Sequence, residues 1–400
     1  MRYINYTEKL LGLEGVIVKK VYNNTKTLSV MVELPRKPHT CPCCNAKTDR
    51  IHDYRNQVIK DIPAFGKPTV LILRKRRYAC TSCGKRFFEV NTWLLRYYRM
   101  TKRLVFYITN RLSDVLSFTS LAKEVNLSVS TIIRIFDVVG SPKPYMPEVL
   151  SIDEFKGNTN GEKYQCIITD PVNKTIVDIL PVRYKHSLFD YFKRFDRSRT
   201  RYFVSDMWET YRDISKTYFK NAKFIVDKYH FVRQVIWSFE GVRKNIQQDL
   251  SPEKRRYFKR SKSLLNKQFK YLNDEQKQEV NIMLYHSDKL LTAYALKESF
   301  FHFMESKDKA QAKERLSGWI LNAQNSGLPP FLSCAKTMQN WYRGILNTFD
   351  CPYTNGFTEG INNKIKVLKR NAYAYRNFER FRKRILHIFG NKSRINIKVA

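Results

Sequence analysis

Hydrophobic and polar residues alternate with period two near the start of this chain, lengthen to a helical period, return to strand patterning, and end helical. VIVKKVYNNTKTLSVMVEL, within the first forty residues, predicts two strands with Asn23 and Asn24 at the turn between them. VIKDIPAFGKPTVLILRKRRY repeats the pattern around a Pro/Gly turn. Residues 91–140 are helical in pattern and close with SFTSLAKEVNLSVSTIIRIFDVVG. There Thr119 or Ser120 caps a short helix, Asn126 and Leu127 turn, and Ser128 or Ser130 caps a second helix. SPKPYMPE at 141–148 has three prolines and reads as a linker. EVLSIDEFKG, KYQCIITDP and TIVDILPVR are then strand-like, HSLFDYFKRFDRS is helical, and RYFVSDMWE and NAKFIVDKYH are strands separated by the helical ETYRDISKTYF. With FVRQVIWSFEGVRKNIQQ opening another helix, the order is βββαβαβα. Residues near 245–345 stay helical, and no internal repeat or low-complexity tract interrupts the chain.

The last amphipathic segment is NGFTEGINNKIKVLKR, residues 355–370. Thr354 or Asn355 can cap it, and Ile361, Ile365 and Leu368 recur at helical spacing. Glu359 is its one acid, and Lys366 follows two turns later on the same face. These elements predict an α/β protein in three parts: a β-rich domain over 1–90, a helical domain over 91–140, and a mixed-sheet domain over 149–400 with an all-α insertion near 245–345.

Charge then narrows the function. The 400 residues carry 73 Lys and Arg against 36 Asp and Glu, a formal net charge of +37 and a pI near 9.9, which points to nucleic acid as the partner. No apolar run approaches the roughly 18 residues of a membrane span, and MRYINYTEKLLGLEG lacks a signal-peptide layout. The expectation is a cytoplasmic protein with no membrane partner. Thiols stay reduced there, so clustered cysteines predict metal. Two Cys-x-x-Cys knuckles, Cys41 with Cys44 and Cys80 with Cys83, supply the four thiolates of a tetrahedral zinc ribbon, with Cys43 as a neighbouring rival. The remaining cysteines, Cys166, Cys334 and Cys351, are scattered and read as packed. The paired helices read as a helix-turn-helix, whose second helix would bring Val129, Ser130, Thr131 and Arg134 to base edges or phosphates.

Carboxylates supply the chemistry. Asp153 follows the apolar run VLSI and Asp206 follows YFVS, so each stands at or near the end of a buried strand, where open sheets place reactive groups. If the first and fourth strands are neighbours, the two acids converge, and Glu359 adds a third from a helix packed on the sheet. Three such acids can hold two magnesium ions about 3.5–4 Å apart, the arrangement of phosphodiester chemistry. Glu154 rivals Asp153 for the first position, since successive strand residues face opposite ways.

LSIDEF, VSDMWETY, FIVDKYHFV and NGFTEGINNKIKVLKRNAYAYRNFERFRKRI together resemble the DDE transposases of bacterial insertion sequences, closely the ISL3 family, over nearly the whole chain. The resemblance implies a ribonuclease-H-like catalytic domain preceded by a zinc-binding segment and a helix-turn-helix. It also implies Asp153, Asp206 and Glu359 as a metal-binding triad for Mg²⁺ or Mn²⁺, and an Asp-x-x-His signature at Asp227 and His230 supporting it. The 153 residues between Asp206 and Glu359 imply the helical insertion, whose run PEKRRYFKRSK would bind the element's ends. Lys364, Lys366, Lys369 and Arg370 would bind phosphate, as would a tail that from residue 361 holds twelve Lys or Arg and the single acid Glu379. Tyr373, Tyr375 and Phe378 interleave that tail and fit core packing equally well. The implied activity is binding of terminal inverted repeats in double-stranded DNA, then metal-dependent cleavage and strand transfer by a homodimer on the bacterial nucleoid. Two rivals stand beside it: a DNA-binding regulator with an inactive nuclease-like domain, and an RNA-directed hydrolase with the same metal fold.

Overall fold

The computed structural model describes residues 11–390 apart from 14, 92–93, 95–98 and 261. They form two compact units: the chain up to Ser141 together with Val367–Ala374, and Pro142–Lys366 together with the residues from Tyr375.

In the first unit, β1 (Ile17–Asn23) and β2 (Leu28–Glu33) form the first hairpin, and a short pair follows, β3 (His39–Thr40) with β4 (Lys47–Thr48). The long hairpin of β5 (Ile51–Ala64) and β6 (Lys67–Ala79) comes next, and β7 (Arg86–Phe88) returns against β6. The sheet order is β1-β2-β6-β5, with β2 and β6 parallel. Alternation buries Val30, Val32, Ile59, Leu71 and Leu73 on one face. The β5–β6 turn is Phe65-Gly66, both at positive φ as a twisted two-residue hairpin requires. Pro63 belongs to β5 rather than the turn, at a break in register between Asp61 and Ala64, which suits a residue that cannot donate to the ladder.

Three helices complete this unit, Lys102–Arg111, Phe118–Glu124 and Val129–Asp137, around Leu104, Ile108, Leu121, Ile132 and Phe136. Ser117, not Thr119 or Ser120, caps the second of them. Its extended backbone turns Oγ to accept the Ser120 N–H at 3.0 Å, so Phe118–Ser120 form the first turn. Ser128 caps the third in the same way, and Asn126 takes the left-handed conformation between them.

The second unit is built on a mixed sheet of β8 (Val149–Thr159), β9 (Glu162–Asp170), β10 (Thr175–Leu180), β11 (Tyr202–Ser205) and β12 (Lys223–Val226). The order is β10-β9-β8-β11-β12; the first three are antiparallel, and β11 runs parallel to both β8 and β12. Helices Lys185–Lys193 and Glu209–Tyr218 cover one face, burying Leu188, Phe192, Tyr211 and Ile214 with Leu150, Ile152, Ile168 and Phe203. Period two sends Ser151 and Asp153 to the other face, where Ser151 Oγ lies 2.9 Å from Thr358 Oγ1 of helix Gly356–Asn371.

Between β12 and that helix lies an all-α layer with its own core, centred on Phe231, Phe239, Phe300, Trp319 and Phe331. It begins at residue 228 rather than near 245. Helix Lys228–Gln248 is continuous, and its first turns already bury Phe231 and Val235 in this core. Lys297 is fully buried there, its Nζ donating to the Leu265 and Lys267 carbonyls at 2.8 and 2.6 Å, where the end of helix Lys262–Asn266 leaves acceptors unmet. Helix Phe378–Phe389 closes the unit against β10, with Arg382 donating to Asp178 at 2.7 Å. Arg384 is wholly buried and Arg382 is half-buried against Asp178, so these two guanidiniums are turned toward the protein itself. Tyr375 and Phe378 are buried as well, while Tyr373 is exposed.

Candidate active site

Three elements deliver carboxylates to one cleft of about 440 Å³ in the second unit. Asp153 comes from the middle of β8, Asp206 directly follows β11, and Glu359 lies in the first turn of helix Gly356–Asn371. Because β8 and β11 are parallel neighbours, with Ser151 paired to Val204, the two aspartates share one edge of the sheet. Glu154, Asp227, His230, Arg233, Asn362 and Lys366 line the same cleft.

The acids differ in their partners. Asp153 accepts the Glu154 N–H at 2.8 Å and the Asn362 side-chain amide at 2.9 Å. Burial pushes its pKa up to about 7, and repulsion from Asp206, Glu154 and Asp227 adds to the shift. Asp206 accepts the Trp208 N–H at 3.2 Å and is raised to about 6, again by burial first and then by Glu154. Glu154 is ion-paired to Arg183 at 2.5 Å, and that guanidinium lies against the rings of Tyr164 and Trp208. The rival first carboxylate thus has an arginine partner of its own, whereas Asp153 is held by an amide from the helix that carries Glu359.

Asp227 reaches across to accept the Asn355 backbone N–H at 3.1 Å, fixing the entry to that helix. His230 Nε2 stands 4.0 Å from Asp227, and burial lowers the imidazole pKa. Asn355 begins the helix, its carbonyl accepting the Glu359 N–H, while its side chain turns to Ser151. Ser151, Thr169 and Thr358 complete a buried hydroxyl cluster, with 2.7 Å between the two threonine oxygens. The sequence marks Asn355 as a cap but not its bond to Ser151, and Asn362 does not stand out from composition. The signal for Asn362 was its place three residues after Glu359, on the same helical face.

Oxygen-only donors suit a hard divalent cation. Among the described residues no three acids bring one oxygen each within 4.8 Å of one another, so the carboxylates share a cleft without closing on one point. That looseness fits magnesium, which keeps several waters and takes only one or two carboxylates.

The four cysteines do close. Their Sγ atoms all lie within 4.8 Å, with 3.6 Å from Cys41 to Cys83 and 3.5 Å from Cys44 to Cys80, close to the roughly 3.8 Å edge of a zinc–thiolate tetrahedron. Backbone N–H groups of the knuckles aim at Cys41 and Cys80, led by those of Cys44 and Cys83, and hold the Cys80 thiol down to about 6. Cys43 is exposed and outside the cluster, and Cys166, Cys334 and Cys351 are buried.

The remaining expected residues are not among those that line the acidic cleft. Val129, Ser130 and Arg134 are exposed on the third helix of the first unit and Thr131 is half-buried, its hydroxyl 2.9 Å from the capping Ser128 Oγ. Ser128, Thr131 and Arg134 line a second cleft with Lys60 and Arg99. Lys364 and Arg370 are exposed and Lys369 is half-buried. Of PEKRRYFKRSK, the first nine residues form helix Pro252–Arg260, anchored by Phe258 with its Lys and Arg side chains outward, and Lys262 opens the next helix.

Carboxylates gathered beside lysine and arginine on a sheet edge define a class of site, one suited to phosphodiesters. Residues 150–385 match the transposase family model of the DDE, ISL3 type, and the chain belongs to that family. Residues 37–83 match the zinc-finger of the transposases of IS204, IS1001, IS1096 and IS1165. The transposase for insertion sequence element IS1001 of Bordetella parapertussis is 28% identical over 97% of this chain and 98% of its own length. A Lactococcus lactis protein named ATP-dependent protease is 33% identical over 28% of the chain and 34% of its own. The transposase for insertion sequence element IS1557 of Mycobacterium tuberculosis is 33% identical over 22% and 20%. No helix among the described residues is long and apolar enough to cross a membrane.

Proposed function

We propose that this transposase binds the terminal inverted repeats of its insertion sequence and cuts and joins DNA with Asp153, Asp206 and Glu359 as its metal-binding carboxylates. The observation that carries the reading is their convergence in one cleft from two strands and a distant helix, beside Lys366 and Arg233. The strand order of the second unit, three antiparallel strands followed by two parallel ones, supports a ribonuclease-H-like reading of that sheet.

Mg²⁺ or Mn²⁺ held by these acids would activate the attacking oxygen and stabilise the leaving one. The protein's own residues do the rest. Asn362 fixes the Asp153 carboxylate, Asp227 fixes the start of the Glu359 helix with His230 beside it, and Arg183 occupies Glu154. Lys366 and Arg233 offset the phosphate's charge. The attacking water first frees a 3′ hydroxyl, which then attacks the target strand in line. Joining two ends calls for two such clefts and therefore a homodimer on double-stranded DNA. Recognition falls to the zinc ribbon and to Val129, Ser130, Thr131 and Arg134, read as the leading face of a helix-turn-helix, with Lys364, Lys369, Arg370 and helix Pro252–Arg260 contributing phosphate contacts.

The test is cleavage of a duplex carrying the element's ends, in magnesium. Asp206→Asn should lower the rate by on the order of a thousandfold while end binding persists. Cleavage that survives this change would remove the assignment. Binding without cleavage by the unaltered protein would favour a regulator, and preference for an RNA hybrid an RNA-directed hydrolase.

A further inference from the structure

Helix Lys228–Gln248 buries Phe231, Val235 and Phe239 along one side. Tyr229, Arg233 and Trp237 repeat the same spacing two residues earlier, which sets them on the opposite side of the helix. Tyr229 and Trp237 are each 55% exposed as residues, and neither belongs to the hydrophobic cluster that the helix serves. Between them lies the Arg233 guanidinium, its central carbon 5.2 Å from the tyrosine ring centre and 4.5 Å from the tryptophan. One guanidinium nitrogen is 3.4 Å from His230 Nδ1, and the buried Nε has no hydrogen-bond partner. Tyr229, His230 and Arg233 line the carboxylate cleft, and Trp237 lies one turn farther along the helix.

Two exposed aromatic residues flank the Arg233 guanidinium beside the carboxylate cleft, which on the proposed function receives a DNA phosphate. A paired duplex offers phosphates and groove edges, and its base faces are taken by their neighbours; only unpaired bases present faces on which rings can stack. We propose that Tyr229, Arg233 and Trp237 form a stacking platform for unpaired bases of the DNA strand running through the catalytic cleft. Arg233 holds the adjacent phosphate, and Trp237 and Tyr229 hold the bases. The duplex is thus opened next to the phosphate to be cut. This rests on the proposed end-cutting function and adds to it how the cut site is presented.

The experiment compares two duplexes carrying the element's ends, one fully paired and one with a short run of mismatched pairs beside the cut phosphate. Binding is measured by fluorescence anisotropy with calcium replacing magnesium. The unaltered protein should bind the mismatched duplex about tenfold more tightly, within what base-on-ring stacking confers. Trp237→Ala should abolish that preference and Trp237→Tyr should keep most of it. Equal affinities in the unaltered protein, a preference that survives Trp237→Ala, or a Trp237→Ala loss confined to the paired duplex would each overturn the platform. Failure of the unaltered protein to bind either duplex would instead overturn end recognition itself, and the platform with it.

Discussion

Asp153 and Asp206 are each held against their own charge. The pKa of Asp153 near 7 and of Asp206 near 6 both stand above the 3.8 of a free aspartate, so the folded protein takes up protons where the unfolded chain does not. Stability of the protein free of magnesium therefore falls as pH rises from about 4 through 7, the reverse of an ion-paired carboxylate. Melting in magnesium-free buffer should occur at a lower temperature at pH 8 than at pH 5.5. Asp153→Asn should recover on the order of 1 kcal/mol at pH 8, roughly 2–4 °C. A melting temperature that rises with pH, or an Asp153→Asn variant that melts like its parent at pH 8, would contradict this. Asn362 acts through position. Asn362→Ala should lower the cleavage rate by about ten- to a hundredfold and raise the magnesium needed for half-maximal rate, as loss of an outer partner of a ligand does. An unchanged magnesium dependence would leave the amide without that role.

Elements were legible where one period ran cleanly. The five strands of the second unit and the helices between them follow the order read from hydrophobic pattern. The apolar runs stop abruptly before Asp153 and Asp206, but only Asp206 follows the end of its strand. β8 continues to Thr159, because its pairing with β9 outlasts the apolar run, and Asp153 stands mid-strand rather than near the end. What pattern could not supply was the set of contacts between distant residues: Asn362 on Asp153, Asp227 on the Asn355 backbone, Arg183 on Glu154. Local rules also leave alternatives, as at Ser117, where several hydroxyls in a row could cap. Net charge alone does not say which basic side chains face outward, because a buried aspartate can draw an arginine inward, as Asp178 draws Arg382. Packing makes its own demands. At Gly344 in helix Tyr342–Leu346 an added Cβ would sit 2.7 Å from Val226 and 3.0 Å from Phe224 of β12. Gly344→Ala should cost about 1–3 kcal/mol in urea denaturation by forcing the helix off the strand. A smaller loss would mean that the helix gives way freely.

For the whole molecule, an excess of 37 positive charges dominates long-range behaviour. DNA affinity should fall steeply with salt, with a slope of log K against log salt near −0.9 per phosphate contacted, and each outward lysine or arginine removed from helix Pro252–Arg260 should reduce it by about 1. A slope indifferent to those changes would take that helix off the DNA. The zinc ribbon tests separately. Cys80→Ser should leave the purified protein without its equivalent of zinc by elemental analysis and lower the melting temperature of the first unit, since binding energy at such sites is folding energy. Retention of the metal would mean that the remaining thiols suffice.

The helix bearing Glu359 follows both aspartates by a long stretch of chain, and its entry is tied to β12 through Asp227. A ribosome makes the protein in that same order. During synthesis the sheet can assemble with two carboxylates in place while the third has not yet been made, so the nascent chain is disarmed by sequence order alone. On the proposed assignment, a product that stops after helix Pro252–Arg260 and before residue 359 includes the zinc-ribbon cysteines and that basic segment but lacks the third carboxylate.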